Sequence, residues 1–71
     1  NLVGASFQEA NLQGTTLNKS NLSKTIFYRA DLQDAKFLIA TLTEADLRYA
    51  NLKGANFQNA NLEGADLRGT T

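Results

Sequence analysis

Neither cysteine nor histidine occurs among the 71 residues of this chain. Their absence excludes disulfides, thiolate–imidazole zinc sites and cysteine or histidine catalysis, and it leaves the redox compartment unmarked. An excess of either charge is missing too. Seven lysines and arginines face seven aspartates and glutamates, which argues against a generic nucleic-acid binder and equally against an acidic mimic of nucleic acid. No apolar run approaches the length of a membrane span, and no charged-then-apolar signal segment opens the chain. Nothing in the composition implies a cofactor, a nucleic acid or a membrane as partner. The start methionine is also absent, so a processed or excised segment of a longer protein is expected. A single domain of this size is marginal unless a disulfide or a metal props it. Neither prop is available.

What the chain has instead is a period. Leucine or phenylalanine stands on every point of a strict five-residue grid: Leu2, Phe7, Leu12, Leu17, Leu22, Phe27, Leu32, Phe37, Leu42, Leu47, Leu52, Phe57, Leu62 and Leu67. A helix turns about 100° per residue, so a period of five never gathers an apolar stripe, and a long amphipathic helix is excluded. A flat strand alternates faces every two residues, so an odd period throws successive leucines onto opposite faces. The surviving solution is a chain that turns once in every repeat, with the Leu and Phe positions forming the inward core.

Alanine two residues before each Leu or Phe shares its strand parity and points inward, while the Asn or Asp between them points out. The next two residues make the corner. All five glycines, Gly4, Gly14, Gly54, Gly64 and Gly69, fall on the second corner position, where a type II turn needs φ > 0. Asn59 suits the same role. The corners at Glu9, Lys19, Lys24, Arg29, Asp34, Ile39, Glu44 and Tyr49 lack glycine, so a different turn type and a mixed corner geometry are expected there.

Four sides close a square coil of about twenty residues, and stacked coils pair as parallel strands about 4.8 Å apart. That offset places Phe7 beneath Phe27 and Phe37 beneath Phe57, whereas triangular coils of about fifteen residues would mix Phe with Leu, which favours the square. The expected fold is therefore all-β, a quadrilateral β-helix of about three and a half coils with parallel stacking, no large helix, and one domain over 1–71. A rod about 17 Å tall follows from the strand spacing. Asn1-Leu2 and Gly69-Thr70-Thr71 fall mid-repeat, so open edges that invite self-association, or flanking caps in a longer protein, are expected.

Residues 45–69, read as ADLRY, ANLKG, ANFQN, ANLEG and ADLRG, show the repeat at its clearest. In this pattern the chain resembles the pentapeptide repeat proteins, whose consensus is A-(D/N)-L-X-X, and the resemblance runs from Asn1 to Thr71. It implies a right-handed quadrilateral β-helix, a fold abundant in cyanobacteria and found in cytoplasmic, periplasmic and thylakoid-lumen proteins; for this chain the cytoplasm is placed slightly ahead of the other two. It implies no enzyme. The departures lie in the earlier repeats. Thr15, Ser20 and Thr25 replace the inward alanine, so their hydroxyls need backbone partners. Ile26, Lys36 and Thr41 replace the outward Asn or Asp, interrupting side-chain ladders that columns such as Asn11, Asp31 and Asn51 are expected to form.

No paired base accompanies the carboxylates, so catalytic, cofactor-binding and metal-binding residues are assigned as none. Two surface features remain. Tyr28, Arg29, Arg48, Tyr49 and Arg68 fall on one side of the square, with Tyr28 over Arg48 and Arg29 over Tyr49 in a crossed quartet that permits cation–π stacking. Tyrosine and arginine are the residues that interfaces favour, although flat β surfaces also keep such pairs for their own stability. Leu38 and Ile39 are consecutive apolar corner residues beside Lys36, and suggest a covered surface, either a contact between copies or one with a neighbouring segment of the full protein. The expected function is a non-enzymatic scaffold presenting flat faces to an unidentified protein partner. The alternative is the DNA-mimicking, topoisomerase-binding role that the resemblance also implies, which zero net charge and a short rod disfavour.

Overall fold

The computed structural model describes residues 1–71, and its backbone is a succession of turns and single-residue bridges without helix or extended strand. Parallel bridges join outward residues twenty positions apart: Ser6 to Ile26 to Asp46 to Asp66, Asn11 to Asp31 to Asn51, Thr16 to Lys36 to Asn56, and Asn21 to Thr41 to Asn61. These four columns define four sides, called here the first (Asn21), second (Ile26), third (Asp31) and fourth (Lys36). Each side holds one bridging residue before the chain turns again, so no continuous sheet ladder develops. No helix is long and apolar enough to cross a membrane.

The backbone hydrogen bonds explain why the repeat is five. The five residues from Ile26 to Ala30 illustrate them. Ile26 N–H reaches the Ala5 carbonyl of the previous coil at 2.9 Å, while Phe27 and Arg29 N–H reach the Asp46 and Arg48 carbonyls of the next at 2.7 and 3.0 Å. Ala30 N–H closes the turn on the Phe27 carbonyl at 3.0 Å. Four of five amides are thereby satisfied, as burial of backbone requires. The first corner residue has no backbone acceptor, and here the consensus Asn or Asp acts: Asn51 Oδ1 accepts from Lys53 N–H at 3.1 Å, and Asn56 Oδ1 from Gln58 N–H at 2.9 Å. These are Asx turns. The expected side-chain ladders are therefore not what this position makes; its oxygen is aimed at its own corner.

The corners are uniform in sign, contrary to the mixed geometry expected. Every second corner residue is left-handed, with φ from 57° to 62° at the nine non-glycine positions and 72° to 74° at the five glycines. A side chain at such a position costs about 1–2 kcal/mol relative to the ordinary helical region. The closing bond and the inter-coil bond of that same amide offset the cost, so Glu9, Arg29, Ile39 and Tyr49 adopt the glycine conformation rather than another turn.

Inside, Leu22, Phe27, Leu32, Phe37, Leu42 and Leu47 are fully buried together with the alanines from Ala30 to Ala50. Leu2, Phe7, Leu12, Leu17, Leu52, Phe57 and Leu62 pack against this cluster from the two end coils and are partly exposed. Leu67, expected in the core, is 41% exposed, because no coil covers it. The phenylalanines stack in the anticipated pairs, Phe7 on Phe27 at 5.6 Å and Phe37 on Phe57 at 4.7 Å, while Phe27 meets Phe37 edge-on at 6.0 Å. Buried Thr25 donates its hydroxyl to the Leu2 carbonyl at 3.0 Å. The molecule measures 20 × 19 × 17 Å. It is a block as wide as it is tall, not the rod expected from its coil spacing.

Candidate functional site

On any side, the outward consensus residue and the first corner residue flank one inward Leu or Phe. Two positions apart on an extended segment, they share the outer face. On the second side this juxtaposes Asp46 with Arg48 and, one coil on, Asp66 with Arg68. Both pairs are bidentate. Arg48 donates from Nε and a terminal nitrogen to the two Asp46 oxygens at 2.9 and 2.8 Å, and Arg68 does the same to Asp66 at 2.9 and 2.6 Å. In each case the aspartate also caps the arginine's own N–H at 3.1 Å, so one carboxylate fixes both the corner and the side chain rising from it.

The same side carries the aromatic cluster. Arg48 lies over the Tyr28 ring at 5.0 Å, and Arg29 lies between the two tyrosines, 5.4 Å from the Tyr28 centroid and 5.6 Å from that of Tyr49. The rings themselves meet edge to face at 5.8 Å. Tyr49 spreads across Gly69 of the next coil, where any Cβ would collide with its ring. Beside these rings lies a shallow cleft of about 300 Å³ lined by Gln8, Ile26, Tyr28, Asp46 and Arg48. Ile26 breaks the Asn/Asp consensus here and gives the cleft an apolar lining.

Hydrogen bonds from the Arg68 side chain, then from its backbone N–H, hold the Asp66 carboxyl down at about 2. Asp46 is lowered first by the Arg48 side chain, with partial burial opposing the shift. A carboxylate whose affinity for protons is weaker in the folded state adds stability above its ordinary value near 4 and surrenders it as pH falls toward 2. Both pairs are solvent-accessible, so the effect is small. Thermal unfolding followed from pH 5 to pH 2 should show the midpoint falling with acid. In the Asp46→Asn/Asp66→Asn double variant, which keeps an amide oxygen for each corner, that slope should flatten.

The structure thus brings together Tyr28, Arg29, Arg48 and Tyr49. Arg68 stands on the same side but engages only Asp66. Leu38 and Ile39 lie on the fourth side, across the block from the tyrosines, with Ile39 51% exposed. The residues missed by the sequence reading are Asp46, Asp66, Gln8 and Ile26; the two-residue spacing of D-L-R in ADLRY and ADLRG was the available signal. No set of three carboxylates converges as a metal-ligand cluster would.

The sequence profile of the pentapeptide repeat region family matches residues 1–67. Among solved structures, a pentapeptide repeat protein from the Arabidopsis thaliana thylakoid lumen is 35% identical, with a TM-score of 0.66, covering 99% of this chain and 52% of that one. HetL, a pentapeptide repeat protein involved in heterocyst differentiation regulation in the cyanobacterium Nostoc, is 32% identical, with a TM-score of 0.57, covering 96% of this chain and 34% of that one. This chain therefore spans about half of the first of these structures and about a third of the second. These neighbours carry the right-handed quadrilateral β-helix over to the four-sided coil described above. No functionally curated protein matches the chain significantly.

Proposed function

We propose that this chain, which belongs to the pentapeptide repeat family, is a non-enzymatic interaction module whose second side binds a protein partner. Its stack of about three and a half coils serves as a rigid backing that holds this side flat. One observation carries the reading: Tyr28, Arg29, Arg48 and Tyr49, drawn from two coils, are locked into one continuous patch by cation–π and edge-to-face contacts. Preorganised tyrosine and arginine are the side chains from which interface hot spots are built, because little rotamer freedom is left to lose on binding. Chemistry has weaker support. Asp46 and Asp66, the outward carboxylates of this side, are held ionised by their arginines and are poor proton donors near neutral pH. The balanced charge of the chain likewise gives no support to mimicry of nucleic acid.

The test is affinity capture on the immobilised chain beside a Tyr28→Ser/Arg48→Gln/Tyr49→Ser variant. Each exposed cation–π contact stabilises by only about 0.5–1 kcal/mol, so the variant should unfold within a few degrees of the parent. Partners retained by the parent should be lost from the variant. Identical capture by the two proteins would remove the second side as the binding face.

A further inference from the structure

The fourth side departs from the other three in ways the fold does not require. Its corner residue Ile39 is the one β-branched side chain held left-handed, at φ 59°, where branching makes the conformation most costly, while Asn59 serves the same corner one coil on. Burial does not compensate, since Ile39 is 51% exposed. Next to it, Lys36 occupies the position whose Asn or Asp normally caps the corner. The Leu38 N–H is instead capped by Asn18 Oδ1, reaching from the previous coil at 2.8 Å. That relayed cap satisfies the Leu38 N–H from another coil and leaves position 36 free to present a cation.

The charge on this side is uniform. It carries Lys19 and Lys36 and no carboxylate, while all seven acidic residues of the chain lie on the other three sides. The salt bridges of the molecule, Arg48 to Asp46 and Arg68 to Asp66, are both on the second side, so neither lysine is neutralised. An apolar projection flanked by free cations matches one kind of surface.

We propose that the fourth side is a separate docking surface for a protein segment in which carboxylates stand beside apolar side chains. Leu38 and Ile39 take the apolar groups, and Lys19 and Lys36 take the carboxylates. A second copy fits poorly, because a two-fold contact through this side would set lysine against lysine with no acid between them. A nucleic acid fits poorly as well, since two cations make few phosphate contacts and Ile39 adds nothing to them.

The probe is a labelled synthetic peptide alternating glutamate and leucine, with a lysine–leucine peptide as its counterpart, read by fluorescence anisotropy. The acidic peptide should bind about tenfold more tightly or better, and salt should weaken it. Ile39→Gly should lower that affinity about tenfold while the thermal midpoint holds or rises, because glycine relieves the left-handed corner. Lys19→Glu with Lys36→Glu should invert the preference between the peptides. Absence of binding by the acidic peptide, equal affinity for both peptides, or an Ile39→Gly variant that binds normally and melts earlier would each overturn the assignment. So would sedimentation showing a dimer that Ile39→Gly dissolves, which would put a second copy on this side.

Discussion

Leu32→Asp should abolish the cooperative thermal transition of this protein. Leu32 is fully buried, stacked between Leu12 of the previous coil and Leu52 of the next, among apolar side chains that offer a carboxylate no partner. Burial of an unpaired charge costs several kcal/mol even after relaxation, and neutralising it by protonation still leaves hydroxyl and carbonyl without partners. The stability available to oppose this is small. At about 0.05–0.15 kcal/mol per residue, a chain of this length has roughly 4–11 kcal/mol in total. Circular dichroism and a melting curve decide the matter, with Leu67→Asp as the companion. Position 67 is 41% exposed at the end of the stack, where a carboxylate reaches water, so the same substitution there should leave a folded protein with a modestly lower midpoint. A cooperative transition in Leu32→Asp would contradict the inward placement of the five-residue grid.

The second large effect is expected at Phe27, where truncation to alanine should cost about 3–5 kcal/mol. Phe27 is one of two rings with two aromatic contacts, stacked on Phe7 along its column and edge-on to Phe37 across the bore. Its removal leaves a cavity that the turns on either side cannot close, because each corner is tied to two neighbouring coils. Phe57→Ala removes a ring of equal size from a partly exposed site with a single aromatic contact. It should cost distinctly less. Chemical denaturation of the two variants measures the difference as a shift in midpoint, and equal losses would mean that the end coil is as tightly packed as the centre.

The interior was legible in the sequence because only one residue class stands at every fifth position, and the phenylalanine columns discriminated square from triangular coils. The corners were not. Side-chain propensity points Ile39, Tyr49 and Glu9 away from the left-handed region, yet the backbone bonds of the stack outweigh that preference at each of them. A period displays columns, so the sequence points the outward Asn and Asp toward the coils above and below. Their actual partner, the N–H two residues on, is visible only when the amides of one repeat are counted and one is found without an acceptor. The Tyr–Arg cluster followed from the offset of twenty, but the aspartates that fix Arg48 and Arg68 lie along the chain, not across coils, and so escaped a search by column. The fourth side gave only Leu38 and Ile39; the cap reaching from Asn18 depends on side-chain reach between coils, which no repeat pattern encodes.

The uniform corner has a consequence for how such a surface can change. Because all fourteen turns close by the same bond between the fifth residue and the Leu or Phe three before it, any one repeat can be exchanged for any other without altering the path of the chain. Inserting one repeat leaves the interior filled with the same kinds of side chain, yet advances everything downstream by a quarter turn. The Tyr28 coil would then face away from the Arg48 coil, and the patch would be dismantled with the fold undisturbed. Inserting four repeats restores the alignment. Length changes in this architecture therefore act as a phase control on the surface: the backbone counts in fives, whereas recognition counts in twenties.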